Sequence, residues 1–322
     1  MDPQSWTHEY QSIPGHTAFL EASQELAFGS DILSSIQNRL ISVQTLSGTG
    51  ACSLGFTFLK KFAPNSSNSN GGGKVLYLPN PTWVNHFGVA HHAGLETRTY
   101  RYLDQSKPTT PMLDFDGMIQ DLQQAPSGST ILLHMCAHNP TGVDPTLEQW
   151  SQIADVMKER NLIPFFDNAY QGFASGDLEG DASSLRIFIQ KGLNPLLACS
   201  FAKNMGLYGE RIGALHVLTS DNDSASATLS QLKIIARVLY SNPPQFGAMV
   251  AHRVMTDPHL RSLWEAELKQ MSGRIQKMRM ELRRLLEEKL PGTSWKHITD
   301  QIGMFSYTGM FQHDFYHHYN SL

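Results

Sequence analysis

Residues 195–211 read Pro-Leu-Leu-Ala-Cys-Ser-Phe-Ala-Lys-Asn-Met-Gly-Leu-Tyr-Gly-Glu-Arg, and this stretch decides the fold class. Its first five residues form a short apolar run, which is typical of a buried strand. Polar residues follow where that strand would end, among them Ser200 and Lys203. Ligands of open parallel sheets bind beyond the carboxyl ends of the strands. The stretch therefore predicts a strand that brings a lysine to a binding site.

Four further apolar runs resemble the one at 195–199, and they lie at residues 74–78, 130–135, 162–166 and 214–218. Segments with helical signals separate them. The clearest begins with the capping box Thr146-Leu147-Glu148-Gln149 and continues to about Arg160. Strands that alternate with helices predict an α/β fold, with a largely parallel sheet flanked by helices.

Polar side chains follow two more of these runs. His134, His138 and Asn139 come at the end of the run 130–135, and Asp167 and Tyr170 follow the run 162–166. With Ser200 and Lys203, three separate segments direct functional groups to one edge of the sheet. Any one of the three segments alone would be weak support for a site.

A glycine-rich segment, Ser47-Gly48-Thr49-Gly50, precedes an apolar helical run at residues 51–62. Glycines let the backbone approach a ligand, and the free amides at the start of a helix favour a phosphate. Taken alone, the segment is more typical of an ordinary glycine-containing turn.

The composition excludes several classes of protein. The 322 residues are 41% apolar and 17% charged, which is typical of a globular protein of one or two domains. A formal net charge of −4 gives no global attraction to nucleic acid or acidic lipid. No apolar run approaches the roughly 20 residues of a membrane span. Three cysteines without close pairing favour a reducing intracellular setting and predict no metal site.

Residues 259–290 show helical spacing of apolar residues over an unusual length. Such a helix at the end of a sheet domain often leads into a second domain, and little chain remains after it. We predict a large domain over residues 1–265. Residues 266–322 would form an interdomain helix and a partial small domain. The polar, glycine-rich run 65–73 predicts a surface loop.

Six short motifs occur in order along the chain, at residues 81–83, 138–142, 167–172, 200–211, 241–244 and 300–305. Together they resemble the class I aspartate aminotransferases, and the resemblance runs from Glu9 to about Gly309. It implies the fold of pyridoxal-phosphate-dependent transferases of fold type I, with a complete large domain and an incomplete small α/β domain.

The resemblance assigns the catalytic roles to three residues. Lys203 would form a Schiff base with pyridoxal 5'-phosphate, and its freed amine would then act as a general base. A lysine of ordinary pKa, about 10.4, must have that pKa lowered to do so. Asp167 would bind the pyridine nitrogen and keep it protonated. Tyr170, with Asn139, would hydrogen-bond the phenolic oxygen of the cofactor.

Each of these residues also has an ordinary reading. An isolated lysine is usually a solvated surface charge, and an aspartate after a strand is often a cap. Asn139 precedes Pro140, where asparagine is a common turn residue. The peptide bond between Asn139 and Pro140 is also a candidate cis bond. The family motifs favour the catalytic reading at all three positions.

The remaining residues of the implied cofactor site surround this group. The phosphate would be bound by Ser47, Gly48, Thr49, Ser200 and Arg211. Arginine can hold phosphate oxygens with two parallel hydrogen bonds. Trp83 would stack on the cofactor ring, and a core tryptophan is the alternative. His86 and His134 would support Asp167 and the ring, although hydrogen-bonded core histidines fit them nearly as well.

Two residues are implied to act across a homodimer interface with shared active sites. Tyr10 would reach the phosphate of the partner subunit. Arg237 would recognise the side-chain carboxylate of the substrate in the partner's site, which suits dicarboxylic amino acids and 2-oxo acids. Trp83 and Asn139 would also contact the substrate. The alternative for Arg237 is a surface arginine on a helix.

The function implied is transfer of the amino group of L-aspartate to 2-oxoglutarate by a ping-pong mechanism, giving oxaloacetate and L-glutamate. Residues 310–322 do not resemble the family and contain no arginine, whereas the family has an arginine there for the substrate's α-carboxylate. We therefore expect a chain truncated at both ends. An inactive variant that binds cofactor, or pairs with a full-length subunit, is the alternative.

Two further points stay open at this level. A related transaminase with aromatic substrates is a third reading, and Arg237 gives no reason to prefer it. Residues 204–211 are slightly more similar to mitochondrial than to cytoplasmic members of the family.

Overall fold

The computed structural model describes residues 7–64, 74–104, 106 and 111–308. At its centre lies a seven-stranded sheet in the order β1-β7-β6-β5-β4-β2-β3. The strands are β1 Leu40–Leu46, β2 Val75–Asn80, β3 Glu96–Arg101, β4 Thr130–His134, β5 Ile163–Asn168, β6 Leu196–Ser200 and β7 Ile212–Leu218.

Strand direction divides the sheet into two parts. Strands β3, β2, β4, β5 and β6 are mutually parallel, whereas β7 is antiparallel to both β6 and β1. Strands β4 and β6 are buried along their whole length, as expected for parallel strands covered on both faces. The predicted α/β fold with a largely parallel sheet is confirmed.

Helices cover both faces of the sheet. No helix in the described part of the chain is long and apolar enough to cross a membrane. The helices are α1 Thr17–Phe28, α2 Ser30–Ile36, α3 Ser47–Phe62, α4 Asn85–His92, α5 Phe115–Gln124, α6 Leu147–Glu159, α7 Leu178–Asp181, α8 Ser183–Gln190, α9 Asn222–Leu239, α10 Phe246–Thr256, α11 Pro258–Lys289 and α12 Lys296–Asp300.

Adjacent residues of β5 show how the two faces form separate cores. Phe166 packs with α1, α6 and α8 in one apolar cluster, and Phe165 packs with α3 and α9 in the other. Successive side chains of a strand point to opposite faces, so one Phe-Phe pair serves both cores. The predicted capping box at Thr146 is present, and the helix it begins buries its apolar face as expected.

The apolar runs do not predict two of the seven strands, β3 and β1. Strand β3 reads Glu-Thr-Arg-Thr-Tyr-Arg at the edge of the sheet, and only Tyr100 is buried in it. Strand β1 carries polar side chains into the interior. Gln44, for example, accepts from the His16 amide (3.0 Å) and donates to the Pro244 carbonyl (2.7 Å). These two hydrogen bonds satisfy the buried side-chain amide of Gln44. Because both partners are distant in the sequence, no local pattern predicts them.

The long helix predicted at residues 259–290 is confirmed as α11. The division predicted between residues 265 and 266 falls inside this helix and stays a prediction. The loop predicted at residues 65–73 and the tail 310–322 lie outside the described residues.

Two glycines inside helices test how tightly the sheet is packed. A Cβ at Gly55 of α3 would come within 2.6 Å of the Phe165 ring, whereas a Cβ at Gly273 of α11 would meet no atom within 4 Å. Alanine stabilises a helix interior over glycine by about 1 kcal/mol, so Gly273→Ala should raise the free energy of unfolding by about that amount. Gly55→Ala should lower it by about 1–3 kcal/mol, because overpacking outweighs the helical gain.

Urea-induced unfolding of both variants measures this difference. If Gly55→Ala were as stable as Gly273→Ala, the close contact between α3 and β5 would be refuted.

Candidate active site

Three neighbouring strands bring the candidate residues to one edge of the sheet. Asp167 of β5 lies in register with His134 of β4 on one side and with Ala198 of β6 on the other. Ser200 ends β6, and Lys203 follows it. The predicted convergence of three segments is therefore present in the fold.

The Asp167 carboxylate is buried and bound by a histidine from a different part of the chain. His86, in α4, places its Nε2 atom 3.1 Å from Asp167 Oδ2. Burial by itself would raise the pKa of the Asp167 carboxyl. The hydrogen bond and charge of His86, with smaller effects of His134 and Lys203, bring that pKa below its ordinary value. The group therefore remains an anion at neutral pH.

A directed chain of hydrogen bonds extends from this carboxylate. His86 Nδ1 lies 2.9 Å from Thr82 Oγ1, which lies 3.2 Å from His134 Nε2. The Asn139 amide donates to His134 Nδ1 at 3.4 Å. Because Nδ1 of His134 accepts, Nε2 carries its proton and donates to the Thr82 hydroxyl. His86 donates to the Asp167 carboxylate through Nε2, and its Nδ1 atom pairs with the Thr82 hydroxyl.

Lys203 places its Nζ atom over the Tyr170 ring, 5.2 Å from the ring centre. Burial lowers the pKa of the Lys203 amine, the Asp167 charge opposes that change, and Arg211 adds to it. The net effect favours the neutral amine, which is the form that attacks a carbonyl carbon.

Tyr170 and Asn139 meet beside this amine. Asn139 Nδ2 lies 3.4 Å from the Tyr170 hydroxyl, a long hydrogen bond. Burial, followed by the Asp167 charge, raises the pKa of the Tyr170 phenol, so the hydroxyl keeps its proton. The predicted cis bond between Asn139 and Pro140 is present, and a second one joins Asn80 to Pro81.

A cradle of small donors forms where β1, β6 and β7 meet. Ser47 Oγ lies 2.8 Å from Ser200 Oγ, and the Ser47 amide donates to the Arg211 carbonyl at 3.0 Å. A Cβ at Gly48 would come within 3.2 Å of Ser200 Cβ, so the start of α3 approaches β6 closely. Thr49 occupies the same first turn. Hydroxyls and the first amides of a helix suit an anion such as phosphate. The Arg211 guanidinium, which donates to the Tyr208 carbonyl at 2.8 Å, lies in the connection that leads to this cradle.

Three of the predicted residues lie further out. Trp83 is half-buried and meets the His86 ring edge-on, with ring centres 5.1 Å apart. Tyr10 is 87% exposed and lines a cleft of about 580 Å³ together with Arg211. Arg237 lies on the exposed side of α9. The roles assigned to Tyr10 and Arg237 across a dimer interface stay predictions.

Sequence reasoning missed two members of the site. Thr82 links the two histidines; its spacing of four residues from His86 was the available signal. Cys52 lies next to the site. Its Sγ atom, a ring nitrogen of His86 and a carboxylate oxygen of Asp167 all lie within 4.8 Å of one another. Burial raises the pKa of the Cys52 thiol, and His86 and Asp167 already bind each other. We therefore treat Cys52 as a packing residue.

Acidification tests the buried neutral state of His134. Burial lowers the pKa of His134 to about 3, whereas an unfolded histidine titrates near pH 6.5. Between these values the unfolded chain binds the extra proton, so the stability that this residue contributes above pH 6.5 is lost as the pH falls. His134→Gln should therefore reduce the slope of unfolding free energy against pH by about 1 kcal/mol per pH unit.

Urea unfolding between roughly pH 4.5 and 7 measures that slope. His92→Gln, at an exposed position of α4, is the matched control and should keep the slope of the unaltered chain. Equal slopes for the two variants would show that His134 titrates in the folded protein.

Comparison with known proteins gives consistent matches along the chain. The family model described as aminotransferase class I and II matches residues 3–317. The cytoplasmic aspartate aminotransferase of Dictyostelium discoideum is 48% identical over 303 residues, which cover 94% of this chain and 66% of that protein. The chain thus spans about two thirds of the length of this curated relative.

Solved structures also resemble the fold of this chain. A mitochondrial aspartate aminotransferase from Trypanosoma brucei matches with a TM-score of 0.89 and 41% identity, over 96% of this chain and 78% of that one. An aromatic-amino-acid aminotransferase from Burkholderia pseudomallei, covalently bound to pyridoxal phosphate, matches with a TM-score of 0.88 and 38% identity, over 95% of this chain and 74% of that one.

Proposed function

The chain belongs to the aminotransferase class I and II family, and from that premise we propose that it is an aspartate aminotransferase. It would transfer the amino group of L-aspartate to 2-oxoglutarate and release oxaloacetate and L-glutamate. The observation that carries the proposal is the placement of the Lys203 amine over Tyr170, with the Asp167 carboxylate close enough to influence its pKa. Identity of 48% to a curated aspartate aminotransferase supports the choice of substrate.

Pyridoxal 5'-phosphate fits the donor set of this site. The cradle of Ser47, Gly48, Thr49, Ser200 and Arg211 offers hydroxyls, backbone amides and a guanidinium to a phosphate group. Asp167 offers an anion that would pair with a protonated ring nitrogen. When bound, the cofactor supplies an electron-withdrawing ring that lowers the barrier to removing the substrate's Cα proton.

Lys203 would hold the cofactor through its Nζ atom and, once released, carry the proton of the substrate's Cα. Both tasks need the neutral amine, and the lowered pKa of Lys203 increases its population at neutral pH. The first oxo-acid product would leave while its amino group stays in the site, and the second oxo acid would then bind and take that group up. That is the chemical basis of a ping-pong mechanism.

Asp167 would keep a proton on the ring nitrogen because its own pKa is depressed. The hydrogen bonds through His86 and Thr82 to His134 hold the carboxylate in place. Tyr170 and Asn139 would hydrogen-bond the phenolic oxygen on the other side of the ring. Trp83 would cover the ring face and exclude water.

The substrate would be recognised across a homodimer interface. Arg237 and Tyr10 are exposed in this chain, as residues that serve a partner's site should be. Arg237 would bind the side-chain carboxylate of a dicarboxylic substrate, while Trp83 and Asn139 would contact the substrate within the same subunit. We propose a mitochondrial or cytoplasmic location, with residues 204–211 favouring the mitochondrion.

A cofactor-binding chain without turnover is the second candidate, and one measurement separates it from the first. The absorption spectrum of the chain with added pyridoxal phosphate should show a protein-bound band that bleaches when aspartate is added. A band that ignores aspartate would support binding alone. Absence of a band would contradict the proposed cofactor site.

Substitution of the lysine tests its role directly. Lys203→Ala should remove the protein-bound band and reduce turnover to background, because no other amine is proposed to hold the cofactor. Lys60→Ala, at an exposed position in the last turn of α3, is the control and should leave both unchanged. Undiminished transamination by Lys203→Ala would refute the assignment.

Substitution of Arg237 tests the substrate preference. Losing a guanidinium–carboxylate contact should cost about 2 kcal/mol or more. This corresponds to roughly a thirtyfold lower kcat/KM for aspartate. Alanine, which has no side-chain carboxylate, should be used about as well by Arg237→Met as by the unaltered chain. Lys233→Met, on the same helix, provides the control for each substrate. Equal losses for aspartate and alanine would exclude Arg237 from recognition.

A further inference from the structure

The segment of residues 301–305 follows α12 and packs against the site, and a buried arginine of α11 binds it there. We propose that Arg279 is a positioning residue for Tyr170 and Asn139, acting through this segment. The effect on a bound cofactor rests on the proposed function, whereas the effect on the loop and on Tyr170 does not.

Arg279 is only 6% exposed, and its guanidinium binds one carbonyl group of α12 and two of the segment. Nη1 donates to the Ile298 carbonyl at 3.0 Å, and Nη2 donates to the carbonyls of Gly303 (3.0 Å) and Phe305. A buried guanidinium is costly unless its donors are satisfied. A planar fork can satisfy several carbonyls at once only if the segment keeps one shape. Arg279 therefore fixes the backbone shape of the segment, and the segment in turn fixes the position of the guanidinium.

The segment in turn contacts the loop that carries Asn139. The Ile302 amide donates to the Gly142 carbonyl at 2.8 Å. A Cβ at Gly142 would lie 2.8 Å from the Ile302 carbonyl oxygen, and one at Gly303 would lie 2.5 Å from Ala137 Cβ. Contacts this close leave no room for the segment to shift without moving the loop.

The same segment also packs against Tyr170. The Phe305 ring meets the Tyr170 ring edge-on, with centres 6.2 Å apart. Ile302 packs on a small apolar cluster that contains Tyr170, Ala137 and Ala174. Tyr170 thus contacts Phe305 as well as the Lys203 amine. Both members of the Asn139–Tyr170 pair depend on a segment whose backbone Arg279 fixes.

This arrangement predicts a selective defect. The groups proposed to bind phosphate and ring nitrogen come from the start of α3, from β5 and β6 and from the connection after β6, not from the segment. Loosening the segment should therefore change the surroundings of the phenolic oxygen while cofactor affinity stays within about threefold. A residue with a merely structural role would instead reduce affinity and stability together.

Four variants make the test. Arg279→Met removes the donors, and Arg279→Lys keeps the charge without the planar fork. Phe305→Ala breaks the contact with Tyr170 at a residue that is 41% exposed, so it should fold even if Arg279→Met does not. Arg283→Met is the control. It lies one turn further along α11 and donates to the Thr299 side chain, not to residues 302–305.

The first measurement is hydrogen–deuterium exchange of the chain without cofactor. Arg279→Met and Phe305→Ala should raise exchange by about tenfold in peptides covering 136–144 and 169–175. Arg279→Lys should have a smaller effect, and Arg283→Met should have none there. Unchanged exchange in both peptides, in whichever of the two disruptive variants folds, would overturn the proposal. This result does not depend on the proposed function.

The second measurement is the pH midpoint of the absorption change of bound pyridoxal phosphate. Arg279→Met and Phe305→Ala should shift that midpoint by about half a pH unit or more, because the hydrogen bonds to the phenolic oxygen weaken. Arg283→Met should match the unaltered chain. An unshifted midpoint would overturn the role of Arg279 toward the cofactor. A chain that binds no cofactor would instead refute the proposed function, and exchange would still decide the positioning role.

Discussion

The site depends on one constraint, the burial of the Asp167 carboxylate at the end of a central strand. An ionised carboxylate is costly in the interior unless other groups compensate its charge. His86 does so at 3.1 Å, and it reaches the carboxylate from α4, in the connection that follows β2. The connection between β2 and β3 therefore links the two strands and also supplies the histidine that compensates the Asp167 charge.

The hydrogen bonds beyond His86 give this compensation a direction. The Asn139 amide donates to His134, His134 donates to the Thr82 hydroxyl, and that hydroxyl pairs with His86, which donates to Asp167. The two ends of this chain are the residues proposed to meet opposite sides of a cofactor ring, at its nitrogen and at its phenolic oxygen. Burial lowers the pKa of His134 to about 3, so this histidine stays neutral and its Nδ1 atom can accept.

The sequence was sufficient for those parts of the fold that local patterns determine. The apolar runs before Asp167 and Lys203 mark buried strands, and the capping box at Thr146 marks a helix start. The family motifs added the roles proposed for the site residues. Polar groups with distant partners were missed, such as Gln44 in β1 and Thr82 between two histidines. Arg279 was missed for the same reason, because its three acceptors are backbone carbonyls that only the folded chain brings together.

The antiparallel strand β7 has a consequence for how Lys203 and Arg211 are related. Because β7 runs against β6, the connection between them leaves the sheet and returns to it at the same edge. Lys203 lies near the start of this hairpin connection and Arg211 at its end. The backbone ladder, with Ser200 paired to Gly213, fixes the two ends of this connection. Contacts from other elements hold the residues between: the Trp264 indole donates to the Asn204 carbonyl at 2.7 Å, and the Asn204 side chain donates to the Gln171 carbonyl at 3.2 Å. A slip of one residue in that ladder would displace the guanidinium relative to the amine. It would also exchange the side chains that the strand presents to the two apolar cores, because both of its faces are buried. The register of the β6–β7 hairpin therefore contributes to the distance between the Lys203 amine and the anion cradle.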